Sequence, residues 1–430
     1  VARTRVLTAL FAAASLAMTA CGDGGGGNEA DEVPQQSGPA TIRLWLNGPD
    51  TPEPMRQWLK AEFEKRNPGS KLVIEEQQWE GLVDKLTTSL GSAKETPDVV
   101  EVGNTQAATF TTVGAFEDIT DLVPKLGGDD LLPSFVEAGS ADGKVYAVPL
   151  YAGSAYVFYR KDLFAKSGLD VPKTMEEFVA AAKKLKQDNA NVSGFSGFWL
   201  PGQDWRDGAA FLWDAGGDFA VQENGKWVGA LSKPESQRGL QLVSEIFQEA
   251  SGAPRDGNEA QPEVPFCAGK VAMALRPGWF RGSLADKEIG CPEMLKKIGV
   301  FPLPGSDGEP APVLLGGSNI AISAKSSHKE LARKLVELIL SDEFQTQYAE
   351  NGLTPAKLSL ADKLGDDEFA KATAEAVSNA KLTPAAQGWA SVEGARILED
   401  LFVGIAQGGD VAALAKKADE EITKQLASSE

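Results

Sequence analysis

The residues able to do chemistry in this chain are few in kind, and they favour binding over catalysis. One histidine is present, His328, in the polar run Ser326–Ser327–His328–Lys329, which reads as a surface loop or helix entry. Ser-His and Cys-His nucleophilic catalysis therefore have almost no material, and a His-rich zinc site is excluded. None of the loops at the strand ends is a Gly-rich phosphate cradle opening a helix, and GxxxxGK followed by Ser or Thr does not occur. A nucleotide cradle is thus not expected, and no cofactor or metal is. Tryptophan, in contrast, is plentiful: nine residues against five tyrosines, several of them in Gly/Pro loops. Pockets that hold small solutes set a few placed polar groups among such rings.

The elements that must position these groups begin with an α/β pattern. Thr41–Leu46 alternates Ile42, Leu44 and Leu46 against Thr41, Arg43 and Trp45, which is a strand at period two. Helix follows over Pro52–Arg66, strand over Leu72–Glu75, helix over Gly81–Ala93 and strand over Pro97–Val102. An open α/β layer of this order places ligands at the carboxyl ends of its strands. Three loops leave those ends, carrying Asn47, then Trp79–Glu80, then Asn104–Thr105–Gln106. Asn47, Glu80 and Asn104 are candidate ligand contacts; the bland alternative for each is a helix cap or turn residue.

Asp142–Phe164 comes next, with extended runs Val145–Leu150 and Ala155–Tyr159 broken at Gly153–Ser154. Thr174–Lys186 is an amphipathic helix with a Thr174/Glu177 capping box. Aromatic loops carry Trp199 and Trp205, and Trp213 lies in an apolar run. A loop through Phe266–Cys267 enters a strand that finishes at Pro277–Gly278–Trp279. Val300–Leu303 and Val313–Leu315 read as strands, the second running through Gly316–Asn319 to Ile320–Ile322. Helices are expected over Lys329–Leu340, Phe369–Ala380, Trp389–Gly404 and Val411–Leu426.

Length and charge bound the rest. A chain of 430 residues allows two or three domains. A net charge of −19 argues against nucleic acid as a partner and shows no polybasic membrane patch. Residues 1–21 have a basic start, a short apolar run and small residues before Cys21, the layout of a secretory signal. The ending Met18–Thr19–Ala20–Cys21 resembles a bacterial lipobox, with Met where Leu is usual, and implies lipidation at Cys21. Residues 22–39 are Gly-rich and acidic without apolar pattern, so a flexible tether is expected there. Export places Cys267 and Cys291 in an oxidising compartment as the two remaining cysteines, so a disulfide is expected; two buried free thiols are the alternative.

Several stretches in this order resemble the carbohydrate-binding extracellular solute-binding proteins of ABC importers, of the maltose/trehalose/oligosaccharide-binding type. They are DGKVYAVPLY…VFYRKDLF, PKTMEEFVAAAKKL, FCAGKVAMALRPGWF, GGSNIAIS, HKELARKLVELILSDEFQTQYAENGLTPA and GDVAALAKKADEEI, spread over about residues 40–425. The resemblance implies an α/β, two-lobe periplasmic-binding-protein-like fold with a sugar held between lobes that close on it. The implied lobes are 40–149 with 314–360, and 150–313 with 361–430. It further implies docking on ABC permease subunits, a Gram-positive type of lipid anchorage on the outer face of the cytoplasmic membrane, a monomer, and no enzymatic activity.

Sugars present hydroxyl edges and apolar C–H faces, so a cleft for them needs carboxylates, amides and Arg together with flat rings. Trp279 matches the family's stacking tryptophan, and Arg396 matches a late arginine that contacts sugar in some relatives. Trp199, Trp205 and Trp389 are further candidates; Trp58, Trp45 and Trp213 read as packing. Asp142–Phe164 then reads as a crossing between lobes, with Tyr151 facing the cleft. The return crossing is expected near Val313–Gly317, with Gly317–Ser318 offering backbone N–H groups. The two stretches should be neighbours in space. A binding protein for another solute, such as a polyamine, and an exported glycosidase, which needs two facing carboxylates, are the rival readings.

Overall fold

The computed structural model describes residues 33–79, 81–386 and 388–428. The expectations for the signal sequence, for lipidated Cys21 and for Glu80 fall outside the described residues.

The first lobe is built on one sheet whose core strands are β1 (Thr41–Asn47), β2 (Lys71–Gln77) and β3 (Val99–Gly103), parallel to one another. The alternation in β1 divides its side chains between two covered faces: Ile42, Leu44 and Leu46 enter one core and Trp45 another. A parallel sheet covered by helices on both faces needs such two-sided burial. The helix Glu53–Arg66 covers one face through Met55, Leu59 and Phe63, spaced four apart. The helix Leu82–Leu90 covers the other through Leu82, Leu86 and Leu90.

The chain leaves this lobe along β4 (Ala147–Ser154) and enters the second as β5 (Tyr156–Arg160), with Ala155 alone between them. The second lobe adds β6 (Ser196–Trp199), β7 (Val271–Arg276) and β8 (Ile298–Phe301), in spatial order β8-β5-β7-β6. The return strand is β9 (Val313–Ile322), and a short β10 (Thr354–Pro355) completes the first sheet in the order β10-β4-β9-β3-β1-β2. β4 and β9 pair antiparallel, with Leu315 opposite Ser154, Gly317 opposite Ala152 and Ser318 opposite Tyr151. The outward and return crossings are therefore direct neighbours. Gly317 has φ of 131°, and a Cβ there would lie 2.4 Å from the Tyr151 carbonyl oxygen, so this close approach of two strands requires glycine.

Four local expectations differ from what is observed. Gly153 and Ser154 do not interrupt the strand, because pairing with Gly316 and Leu315 keeps them extended, and the break falls at Ala155. Val313–Leu315 runs on through Ile320–Ile322 as one strand, as expected. The helix expected over Trp389–Gly404 is two, Trp389–Gly394 and Ile397–Ala406, because Arg396 between them is left-handed with φ of 56°. The last residues assigned to the tether are held on the first lobe: Gln36 N donates to the Ser327 carbonyl at 2.8 Å, and Gln35 Nε2 to that of Ser326 at 2.9 Å. His328 stands at the entry of the helix Lys329–Ile339, as expected, but is partly buried with Nδ1 3.1 Å from Asp98 Oδ1 and so is not a free surface residue.

Two large cores fill the lobes, and Trp279 packs against both. Among the described residues no helix is long and apolar enough to cross a membrane. Cys267 and Cys291 are joined, with Cα atoms 5.5 Å apart and a sequence separation of 24. The bond ties the end of the helix Glu263–Cys267 to the segment following the helix Trp279–Ala285. Cross-linking a loop of that length restricts the unfolded chain by about 3 kcal/mol. The double variant Cys267→Ser/Cys291→Ser should unfold at lower urea with a stability loss of that order, and an unchanged midpoint would show that the bond contributes nothing.

Candidate functional site

The carboxyl ends of the first lobe's strands converge on Trp79. Its ring is 40% exposed, which is unusual for so large an apolar group. It lies across two strand ends that lack side chains. A Cβ on Gly48, just after β1, would meet Trp79 Nε1 at 3.0 Å, and a Cβ on Gly103, ending β3, would meet Cζ3 at 3.4 Å. The glycines are what let the ring settle there.

Beside and below the ring lies a group of acids. Glu101, on β3, is fully buried; its Oε2 accepts from Asn47 N at 2.7 Å and its Oε1 is 2.9 Å from the Tyr151 hydroxyl. The same hydroxyl is 3.1 Å from Asp50 Oδ2 and 3.3 Å from Ser318 Oγ. A single phenolic proton cannot serve both carboxylates. Burial pushes Glu101 up to about 7 and Asp50 up to about 6, the Asp50 charge adding to the effect on Glu101. The Ser318 hydroxyl and the Asn47 N–H act the other way on Glu101, and Tyr151 and the Trp79 indole do so on Asp50. Burial and the two carboxylates together hold the Tyr151 phenol well above its ordinary value. Burial therefore holds both carboxyls of the Glu101–Tyr151–Asp50 chain toward their protonated forms, Glu101 more than Asp50. Two more oxygens at this edge, Asn47 Oδ1 and Gln106 Oε1, are buried without a hydrogen-bond partner among the described residues.

The second lobe presents the opposite polarity. Arg276, the last residue of β7, donates from one terminal nitrogen to Asp207 at 2.8 Å and from the other to Asp204 at 3.0 Å. Burial works against its charge, but the two carboxylates hold the guanidinium above its usual value; burial pushes Asp207 up. Arg276 Nε, Trp199 Nε1 and Trp205 Nε1 are buried donors with no partner among the described residues. The strand ends of the first lobe thus carry unmatched acceptors in Asn47 and Gln106, and those of the second carry unmatched donors in Trp199 and Arg276. Buried polar groups left unmatched are unfavourable, and a molecule that both accepts and donates relieves both sets.

Among the described residues, two contacts between the lobes lie beside the site. Gln106 Nε2 donates to Glu393 Oε2 at 3.2 Å, and Trp389 Nε1 holds Glu393 Oε1 at 2.9 Å. At the other contact a Cβ on Gly278 would lie 2.0 Å from the Gly352 carbonyl oxygen, so the backbones of the two lobes meet directly.

The candidates drawn from sequence are distributed as follows. Asn47, Tyr151 and Ser318 meet at the acid group, and Gly317 serves the crossing ladder through its backbone. Asn104 turns to the hinge, its Nδ2 donating to the Leu315 carbonyl at 2.8 Å. Trp279 is half-buried between the two cores. Trp199 ends β6 in the second lobe's core. Trp205 and Trp389 are each 1% exposed, so neither has a free ring face for stacking. Trp205 heads a capped helix, Trp205–Asp214, instead of standing in a loop; Arg206 covers its ring at 4.7 Å and Phe219 packs edge-on. Arg396 is exposed and donates to Gln203 Oε1 at 2.7 Å.

Sequence reasoning passed over Trp79, Asp50, Glu101, Arg276 and Glu393. The glycines at the ends of β1 and β3, and the charged residues inside apolar strands at 101 and 276, were the signals for three of them. Among the described residues no cluster of His, Cys, Asp and Glu is placed to hold a metal ion.

Comparison with known proteins agrees with this architecture. The family of bacterial extracellular solute-binding proteins matches residues 48–346. The chain is 32% identical over 395 residues to the diacetylchitobiose-binding protein DasA of Streptomyces coelicolor, covering 90% of each. It is 25% identical over 327 residues to the arabinooligosaccharide-binding protein of Bacillus subtilis, covering 72% of this chain and 71% of that one. The fold is similar to that of the GacH receptor of Streptomyces glaucescens, whose structures are unliganded and with acarbose. The TM-score is 0.79 at 22% identity, covering 91% of this chain and 100% of that one.

The raised carboxyls have a consequence for stability. Glu101 binds its proton more tightly in the folded state than in the unfolded chain, so its contribution is fullest below about pH 4.5 and is lost as pH rises to about 7. Asp50 acts in the same direction, from about 3.8 to about 6. Glu101→Gln should flatten the decline in unfolding free energy between pH 5 and 7, and stabilise the protein at pH 8 by on the order of 1–3 kcal/mol. Parallel pH profiles for variant and parent, from urea titrations, would contradict the assignment.

Proposed function

The chain belongs to the family of bacterial extracellular solute-binding proteins, and from that premise we propose that it is a receptor that holds a mono- or oligosaccharide between its lobes and delivers it to an ABC importer. The observation that carries the sugar reading is the exposed Trp79 ring set against buried, unmatched hydrogen-bonding groups. The ring offers an apolar face to the C–H surface of a pyranose. Asn47 Oδ1, Gln106 Oε1 and the acid group take its hydroxyl protons, and the Arg276 and Trp199 N–H groups, at the ends of β7 and β6, donate to its oxygens. Hydroxyls do both, which a cation or an anion cannot. The relatives that bind diacetylchitobiose and arabinooligosaccharides support the same class.

The remaining assignments belong to this proposal. Lobe boundaries are taken at 40–149 with 314–360, and 150–313 with 361–430. The protein acts at the outer face of the membrane, tethered through a lipidated Cys21, and hands its sugar to permease subunits as a monomer. It performs no chemistry on the sugar, so prolonged incubation should return the oligosaccharide intact. A polyamine is the second reading, favoured by the carboxylates of Asp50 and Glu101. Their bias toward the protonated forms and their placement under a hydroxyl-matched cleft favour the neutral solute.

Calorimetry of the protein lacking residues 1–21, against diacetylchitobiose, arabinooligosaccharides, maltodextrins and spermidine, separates these readings. Micromolar or tighter binding by one sugar class is expected; binding of spermidine alone would replace the sugar reading. Trp79→Ala should weaken the sugar bound by about 1–3 kcal/mol, the range for truncated aromatic anchors. Trp279→Ala should weaken it by a similar amount, and an affinity unchanged by either substitution removes that residue from the site.

A further inference from the structure

The amide of Gln106 is divided between the two lobes. Gln106 lies in the first turn of the helix Asn104–Thr112, which packs on the first lobe's sheet through Ala107 and Phe110. Its Nε2 crosses to the second lobe and donates to Glu393 Oε2 at 3.2 Å. Its Oε1 is buried and has no partner among the described residues. That oxygen is 3.5 Å from where a Cβ on Gly103 would stand, and Trp79 Cζ3 is 3.4 Å from the same point. The unmatched oxygen therefore lies close to the ring proposed to carry the sugar. On the far side Glu393 is fixed: its other oxygen accepts from Trp389 Nε1 at 2.9 Å, and Trp389 is enclosed in the second lobe's core.

We propose that Gln106 couples occupancy of the cleft to closure of the lobes: its oxygen accepts a hydroxyl or amide N–H from the bound sugar while its nitrogen ties the first lobe to Glu393 on the second. The inference rests on the sugar-cleft reading and names the residue that links binding to closure. A primary amide is planar and rigid, so orienting its oxygen toward a ligand orients its N–H₂ toward Glu393. A buried carbonyl oxygen with no donor disfavours the closed arrangement when the cleft is empty. A sugar that supplies the donor removes that penalty only where the lobes meet, and so binds the closed state in preference to the open one. Arg206, which Glu393 and Glu399 stabilise in its charged form, is the neighbouring cation on the second lobe.

Exchanging the two functional groups tests this. Q106E keeps an acceptor for the sugar but replaces the cross-lobe donor with a carboxylate facing Glu393. In the double variant Q106E/E393Q the amide sits on the second lobe, donates back to the carboxylate on the first, and still offers an oxygen to Trp389. With diacetylchitobiose as the probe, Q106E should bind at least about tenfold more weakly than the parent, and the double variant should return to within about threefold. Small-angle scattering without sugar should show a larger radius of gyration for Q106E than for the parent or the double variant. Parent-like affinity in Q106E, or a double variant no tighter than the weaker single variant, overturns the proposal. Should diacetylchitobiose fail to bind the parent, the sugar class is what falls. Equal radii for parent and Q106E then overturn the latch independently.

Discussion

Everything in this molecule is referred to the pairing of β4 with β9. Two antiparallel strands carry the chain out of the first lobe and back, and their register sets which residues of the two crossings face each other. The same register does chemical work. It sets Ser318 opposite Tyr151 and places β9 beside β3, so that the hydroxyls of both residues meet the Glu101 carboxyl. The ladder tolerates this crowding only because residue 317 has no side chain. A hinge made of paired strands can bend where Ala155 interrupts the hydrogen bonding, and elsewhere stays stiff.

Around that ladder the two lobes are polarised against each other. Unmatched acceptors gather at the strand ends of the first and unmatched donors at those of the second. Neither set is satisfied by its own lobe, because each lies at the edge of a sheet whose backbone groups are already paired. On the proposed function, a solute bearing hydroxyls completes this hydrogen bonding. Closure then becomes a property of the ligand as much as of the hinge, since the favourable terms appear only when the edges approach.

The βαβαβ order of the first lobe, the crossing near residue 150 and its return near residue 315 were legible because they depend on local periodicity and turn residues. The joining of Cys267 to Cys291 was legible by elimination. The ligand-facing residues were less so. A tryptophan in a loop and a tryptophan heading a capped helix look alike in sequence; Trp79 lies across Gly48 and Gly103 with a free surface, whereas Trp205 is enclosed by Arg206 and Phe219. Glu80 lies outside the described residues, while the place of the Trp79 ring depends on two glycines, Gly48 and Gly103, that are distant in sequence from it and from each other. Charged residues inside apolar strands, Glu101 and Arg276, read as noise until their partners at 47, 151, 204 and 207 arrived from distant parts of the chain.

By itself the sequence pointed to a class of chemistry: a single histidine leaves little material for Ser-His or Cys-His catalysis, and abundant loop tryptophans suit the binding of a small solute. Hydrophobic periodicity also gave the α/β order of the first lobe, and the resemblance to solute-binding proteins implied the second lobe. Which rings face the cleft, which carboxyls are held toward their protonated forms, and that Gln106 on one lobe meets Glu393 on the other were decided only by the tertiary structure. Exposure, desolvation and hydrogen-bond partnership are properties of residues brought together across 50, 100 or nearly 300 positions, and no local pattern in the chain encodes them.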